Sequence, residues 1–474
     1  MTTTSKIGRP PTATTRRIRR LSRLASLATA VAFVTAACTG ATPESPASGE
    51  PAAVALPATP VGERAQWVVD VLNGDDELAT TDIEAAISPV MLEQVPAEQM
   101  LAVFNQMRDA RPWTPTELTE SPSGLVVQLH STDAPLQMQI SVDEQTLING
   151  LLFEQPPADR TPAASWNELE KNVGALDAET SMTVTPLDAD APGQRIIDVA
   201  GEQTKPLGSV FKLYVLGAVA DAVAAGTLSW DDSVIITDDT RSLPSGELQD
   251  LPSGTLVSVR DAAQKMIEIS DNTATDLLIG RVGRDAVEAQ LSTMGHHDAA
   301  ANTPLLTTRE FFQLGWAPEF AEARTTWASR SIDERREVLR SMPAGRLNLA
   351  SFDLSSTAWQ NRVDWFADAS DLVDAHVALQ QKAQRAGGEP VREILSANPG
   401  LRFDTDVWNS VSFKGGSAPG VLAGSWLLER TDGARFVITL QATSEDPAAL
   451  ADPALIFGNV EDATALLVAV APTP

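Results

Sequence analysis

The chain has 474 residues, 43% of them hydrophobic and 21% charged. That balance is the one globular proteins have, and the length suffices for two or three domains with buried cores. A formal charge of −28 and a pI near 4.4 exclude the basic face that nucleic-acid binding requires, so no nucleic acid is expected as a partner.

Residues 1–37 carry Lys6, Arg9, Arg16, Arg17, Arg19, Arg20 and Arg23 and no acidic residue. An apolar run, Leu24–Val34, follows this basic start, and the small residues Thr35, Ala36 and Ala37 precede Cys38. This is the layout of an export signal, and its apolar run is too short to span a bilayer as a stable helix. Cys38 is the only cysteine, so it has no disulfide partner. T-A-A-C resembles a bacterial lipobox, with Thr35 where leucine is usual. The resemblance implies removal of residues 1–37, a lipid on Cys38 and a location on the outer face of the cytoplasmic membrane. The alternative is a secreted protein with an incidental cysteine. Residues 38–60, rich in Pro, Ala, Ser and Thr, read as a flexible tether.

Residues 61–155 read as a small α+β domain. Helical apolar spacing covers Arg64–Leu72 and Ala97–Asp109, and strand-like runs cover Leu125–His130, Leu136–Val142 and Thr146–Phe153. Helices followed by a curved antiparallel sheet resemble the cone-shaped steroid-isomerase (cystatin-like) group. His130 and Asp143 read as surface or edge residues rather than an acid/base pair. Residues 156–164 form a Pro-containing linker.

From 165 to 474, helices and strands alternate. Strands are expected near Met182–Thr185, Gln194–Val199, Ser410–Phe413, Ser425–Glu429 and Arg435–Gln441, and a last helix near Val460–Val470. Strands at both ends with helices between them predict one antiparallel sheet closed by distant segments and backed by a helical region.

Three short motifs carry chemistry. In Ser209-Val210-Phe211-Lys212 the spacing of three puts both polar side chains on one helical face. A serine hydroxyl needs an adjacent base to become a nucleophile. The run Val210–Ala224 is apolar almost all round, which predicts a buried helix where an ammonium is costly and Lys212 can serve as a base. The alternative is a lysine snorkelling from a half-buried helix. Ser270-Asp271-Asn272 lies between two helical runs, where plain N-capping is the competing reading. Lys414-Gly415-Gly416 closes a strand-like run, where a glycine turn is the alternative.

Their order decides between these readings. Serine-x-x-lysine, then S-D-N, then a lysine–glycine strand is the signature set of penicillin-interactive serine enzymes, and Ser270 lies 61 residues after Ser209. The stretches SDNTATDLL, TPLLTTREFFQL, VDWFADASDL and SFKGGSAPGVLAGSWLLE resemble an actinobacterial lipoprotein group, LpqF-type, related to the β-lactamase-like protein of the clavulanic-acid pathway. That resemblance implies a steroid-isomerase-like domain followed by a class A β-lactamase-like domain. It implies Ser209 as nucleophile, Lys212 as its base and Ser270 as a proton relay. Asn272 would hold the substrate amide, Lys414 would supply positive potential, and Gly416 would lie beside them in the substrate-binding strand. The N–H groups of Ser209 and Ser417 would form an oxyanion hole.

Two departures stand out. Gly415 occupies the place of the usual Thr or Ser. The glutamate that activates the deacylating water has no counterpart in GHHDAAANTPLL; Glu288 lies in a helical run, and Glu310 reads as a helix cap. His296-His297-Asp298 reads as a solvated loop rather than a metal site, and no metal or other cofactor is expected. Four histidines and no G-x-S-x-G argue against Ser-His-Asp chemistry. Tyr214 reads as core, and Trp316, Trp327, Trp359, Trp365 and Phe366 as core or cleft cover. The expected function is a serine acyl hydrolase acting on β-lactams, esters or peptidoglycan-derived amides; the alternative is a weakly catalytic lipoprotein that binds or senses a cell-wall ligand or β-lactam.

Overall fold

The computed structural model describes residues 53–468, apart from 77, 122–123, 132–134, 144, 155–159, 188–193 and 349–350. The export signal, Cys38 and the start of the tether lie outside the described residues.

The small domain opens with α1 (Pro60–Asn73), α2 (Thr80–Ala86), α3 (Pro89–Gln94) and α4 (Ala97–Arg108). Thr59 caps α1 by accepting from the Gly62 N–H, and Pro60 fits the first turn, where an N–H would lack an intrahelical partner. Strands β1 (Thr114–Ser121), β2 (Gly124–His130), β3 (Leu136–Val142) and β4 (Ile148–Glu154) form an antiparallel meander in sequence order. Burial alternates along β2, so Leu125, Val127 and Leu129 face a core shared with Val68 and Leu72 of α1 and Phe104 of α4. The sequence reading missed β1, whose Pro115 lies beside a bulge and whose side chains show no clean alternation. Asp143 accepts from the N–H groups of Gln145 and Leu147, which makes it a turn residue.

The second domain runs through α5 (Trp166–Gly174), β5 (Glu179–Pro186), β6 (Ile197–Val199), β7 (Lys205–Pro206) and α6 (Lys212–Ala224). A ribbon of β8 (Ser233–Ile235) and β9 (Leu256–Ser258) leads to α7 (Val259–Glu268), α8 (Asn272–Val282), α9 (Arg284–Thr293), α10 (Thr308–Trp316), α11 (Ala321–Thr326) and α12 (Ile332–Arg340). After β10 (Phe366–Ala367), α13 (Ala369–Ala383) and α14 (Pro390–Leu395), the chain returns through β11 (Trp408–Ala418), β12 (Val421–Arg430), β13 (Arg435–Thr443) and α15 (Pro453–Val468).

The main sheet has the order β11-β12-β13-β5-β6, antiparallel throughout, so distant segments close it as expected. Met182, Val184, Trp426, Ile438 and Leu440 pack with Leu169 and Val173 of α5 and Ile456, Val460 and Leu467 of α15. Each such fully buried side chain contributes roughly 1.5–3 kcal/mol. The helical core forms around α6, in which every residue from Lys212 to Ala220 is buried. Trp316, Trp327, Trp365 and Phe366 are buried, and Trp365 stacks on Phe211. Tyr214 is core, as expected.

The third motif needs a correction. The strand does not end at Phe413 but continues through Lys414–Ala418, so both glycines lie mid-strand. The reason is proximity: a Cβ on Gly416 would stand 2.1 Å from the carbonyl oxygen of Leu207.

Within the stretch read as a linker, Arg160 forms a bidentate pair with Asp462 of α15 at 2.6 and 3.0 Å, and Ala163 donates its N–H to the same carboxylate. Asp462 is buried. Asp462→Ala strands a part-buried guanidinium and an amide, and we expect it to destabilise the domain by about 3 kcal/mol in urea unfolding. A change within ±0.5 kcal/mol, the range of ordinary surface substitutions, would show the pair to be dispensable.

Candidate active site

Ser209 stands in a single 3₁₀ turn, Gly208–Phe211, between β7 and α6. Gly208 has φ +48°, a left-handed conformation that glycine adopts without strain, and a Cβ there would come 2.8 Å from the Ser417 nitrogen. A Cβ on Gly416 would stand 2.6 Å from the Ser209 nitrogen. Two glycines therefore let the nucleophile turn and β11 touch backbone to backbone. The Ser209 N–H has no acceptor among the described residues, and the Ser417 side chain is exposed.

Lys212 begins α6 and is fully buried. Its Nζ lies 2.6 Å from the Ser270 carbonyl oxygen, 3.1 Å from Ser270 Oγ and 2.7 Å from Asn272 Oδ1. Lys414, also buried, places its Nζ 3.0 Å from the same Ser270 Oγ and donates to the Gly415 carbonyl at 2.7 Å. Burial pushes Lys212 well below the usual lysine value and the nearby Lys414 pushes it further, against opposing pulls from Asp271 and Asp276. Burial also pushes Lys414 down, to about 7. Two ammonium groups sharing one hydroxyl, roughly 6 Å apart, would repel by roughly 3 kcal/mol at an effective dielectric of about 20. A neutral Lys212 removes that repulsion. The neutral amine still has two N–H groups for its shortest contacts, Ser270 O and Asn272 Oδ1, and keeps a lone pair to take a proton.

Ser270 is held in place at a cost, with φ +58° in a residue that carries a Cβ. Asp271 stabilises this geometry. One of its oxygens caps α8 by accepting from the Ala274 N–H at 2.7 Å; the other accepts from the N–H groups of Glu247 and Leu248. Ser245 donates its hydroxyl to the Ser270 carbonyl and accepts the Asn272 N–H on its own carbonyl. S-D-N is thus a helix cap and a site loop at once. Asn272 uses both amide atoms on the protein, accepting from Lys212 and donating to the Leu243 carbonyl. Asp276, one turn further along α8, receives Thr308 and Arg309 at the start of α10, and the Thr308 hydroxyl lies 3.1 Å from the Asn272 carbonyl. Burial raises the Asp276 carboxyl to about 6.

Ser209, Lys212, Ser270, Asn272, Lys414, Gly416 and Ser417 therefore belong to one locality, assembled from α6, α8 and β11. The Ser209 hydroxyl has no hydrogen-bond partner among the described residues. Apo sites often leave such bonds to form with substrate.

Both glutamates are engaged elsewhere. Glu310 closes a capping box with Thr307 and pairs with Arg284 at 2.7 and 2.9 Å. Glu288 accepts from the Leu305 N–H and pairs with Arg336 at 2.8 Å.

The reading of 296–298 as a solvated loop holds for His297 and Asp298, which are exposed, and needs correction at His296. His296 is buried, with Nε2 at 2.7 Å from the Phe366 carbonyl and Nδ1 accepting from the Asp298 N–H. His296, His297 and Asp371 offer donor atoms within 4.8 Å of one another, but each already serves a protein partner, and we assign no metal there. A cavity of about 430 Å³ between α8, α10 and α12 shares no lining residue with the Ser209 cluster. Sequence reasoning missed Asp271 as a scaffold residue, Ser245, and Asp364, a fully buried acid inside the apolar run V-D-W-F; an isolated acid in such a run was the available signal.

The family model described as Beta-lactamase enzyme family matches residues 166–358, and that described as ORF 12 gene product N-terminal matches residues 56–148. No curated protein matches the chain. Among solved structures, a β-lactamase from Sphaerobacter thermophilus is 20% identical, with 65% of this chain and 100% of that chain covered and a TM-score of 0.46. PBP-A is 16% identical over 66% and 99% of the two chains, with a TM-score of 0.43. A class A β-lactamase of the last common ancestor of Gram-negative bacteria is 19% identical over 64% and 97%, with a TM-score of 0.44. The family-model match makes residues 166–358 part of a β-lactamase-like domain, preceded by a small domain matched by the second model.

Proposed function

We propose that the protein is a serine acyl hydrolase that works through an acyl-enzyme on Ser209. The observation that carries this reading is the dry Lys212 amine, pushed towards its neutral form and bonded to Ser270 and Asn272 three residues after a serine in an otherwise apolar helix. Ser209 Oγ attacks the carbonyl of a β-lactam, an ester or a peptidoglycan-derived amide. Its proton passes to Lys212 Nζ and, through Ser270 Oγ, to the departing nitrogen or oxygen as the carbonyl–heteroatom bond breaks. Lys414 polarises Ser270, and the Ser209 and Ser417 N–H groups receive the oxyanion, each donor being typically worth about 3–4 kcal/mol.

Release of the acyl group requires a water and a base for its proton. Glu288 and Glu310 are both held in ion pairs and backbone contacts, which supports slow turnover. We further read the small domain as steroid-isomerase-like, the chain as akin to the LpqF-type lipoproteins, and Cys38 as the site of a lipid anchor on the outer membrane face.

Labelling with a fluorescent penicillin tests the chemistry. We expect Ser209→Ala to lose the label and Lys212→Ala to slow labelling by roughly 10²–10⁴-fold, the range for a general base. The wild-type adduct should persist through a chase with excess unlabelled penicillin. Labelling of Ser209→Ala at the wild-type rate would end the nucleophile assignment, and rapid loss of the adduct would end the slow-turnover reading.

Phase partitioning tests the anchor. The full-length protein expressed in a lipoprotein-processing host should enter the detergent phase, and Cys38→Ser should stay aqueous. Detergent partitioning of both would exclude Cys38 as the lipid site.

A further inference from the structure

The nucleophile turn is short, so something outside it must fix its peptide planes. Strand β10 does part of this by pairing Phe366 with Pro206 and Ala367 with Lys205, and the Leu207 N–H donates to the Trp365 carbonyl at 2.8 Å. Continued two residues, this antiparallel register sets Asp364 level with Gly208. Asp364 Oδ1 accepts from the Gly208 N–H at 2.9 Å, the Leu207 N–H at 3.2 Å and the Trp365 N–H at 2.7 Å. The other oxygen, Oδ2, is buried without a partner. A buried carboxyl that leaves one oxygen unsatisfied is an expensive way to tie down a loop, which argues for a local requirement.

The requirement follows from the N–H inventory of the turn. The amide of Gly208 points to Asp364 and that of Leu207 is shared between the Trp365 carbonyl and Asp364, while that of Ser209 has no acceptor among the described residues and lies against Gly416 of β11. Once those two peptide planes are held, only the φ and ψ of Gly208 orient the third, and the close approach of Gly208 to Ser417 and of Ser209 to Gly416 restricts them. We propose that Asp364 is a positioning residue: by holding the Leu207 and Gly208 amides, it aims the Ser209 N–H at the oxyanion position beside β11. This inference rests on the serine-nucleophile reading. The effect belongs to the transition state, because only there does the carbonyl oxygen carry the charge that the N–H stabilises.

The test is the acylation of Ser209 by 4-nitrophenyl acetate, followed over a range of ester concentrations in single turnover, with circular dichroism to confirm folding. Asp364→Ala, which removes the acceptor, should lower the maximal acylation rate about 10–100-fold while the half-saturating concentration moves less than about threefold. Asp364→Glu, which displaces the acceptor by one methylene, should show the same loss. Asp364→Asn keeps an oxygen at the Oδ1 position and should stay within about threefold of wild type. Affinity for phenylboronic acid, a tetrahedral-adduct mimic, should fall with the acylation rate. If Asp364→Ala fails to fold, the Glu and Asn variants still decide the matter. Wild-type rates in Asp364→Glu, equal losses in Asp364→Glu and Asp364→Asn, or a change confined to the half-saturating concentration would each overturn the assignment. A wild-type protein that is never acylated at Ser209 would instead overturn the nucleophile reading beneath it.

Discussion

The site depends on an amine held out of water. Lys212 sits at the start of a helix whose next eight residues are all buried, and its Nζ reaches only the polar atoms of one loop, Ser270–Asn272. An isolated ammonium there would cost many kcal/mol, whereas loss of one proton costs far less. The surroundings serve this balance. Lys414 approaches the same hydroxyl from β11 and disfavours a second charge, while Asp271 and Asp276 moderate the shift and lock the loop to α8 and α10.

Bringing the Ser209 turn up to β11 and the Ser270 loop requires backbones to approach closely. Gly208 and Gly416 provide the space, and the strained Ser270 provides the angle. The sheet gives the approach its rigidity. Strand β11 pairs with β12 along its length, and β12 is buried at nearly every position, so Lys414, Gly416 and Ser417 are carried on a stiff element. Asp364 secures the opposite side of the nucleophile turn through a segment more than 150 residues away in sequence.

The motifs were legible because each is short and its chemistry local. S-x-x-K lies on a run apolar all round, and that pattern alone predicts both the helix and the burial of the lysine. The closure of the sheet by strands from both ends was legible for the same reason, since β5 and β13 are dense in β-branched and aromatic residues. What escaped depends on distant partners. Gly415 and Gly416 looked like a strand end because nothing in the sequence shows that the Leu207 carbonyl lies against Gly416. The solvated reading of 296–298 failed at His296 because its ring bonds to the Phe366 carbonyl, 70 residues on. Strand β1 escaped because Thr114, Pro115, Thr116 and Glu117 carry neither the alternation nor the apolar content of an inner strand.

The central claim, a Lys212 whose amine gives up its proton well below the ordinary lysine value and can take the Ser209 proton, is tested most directly by the pH dependence of acylation measured in single turnover. The base must be deprotonated to act, so the rate should rise with pH through the Lys212 value. Because that value lies well below 10.5, the acid limb of the rate should fall well short of the ordinary lysine range. A rate that stays negligible until the pH approaches 10.5 would show Lys212 to be an ordinary ammonium and would contradict the account.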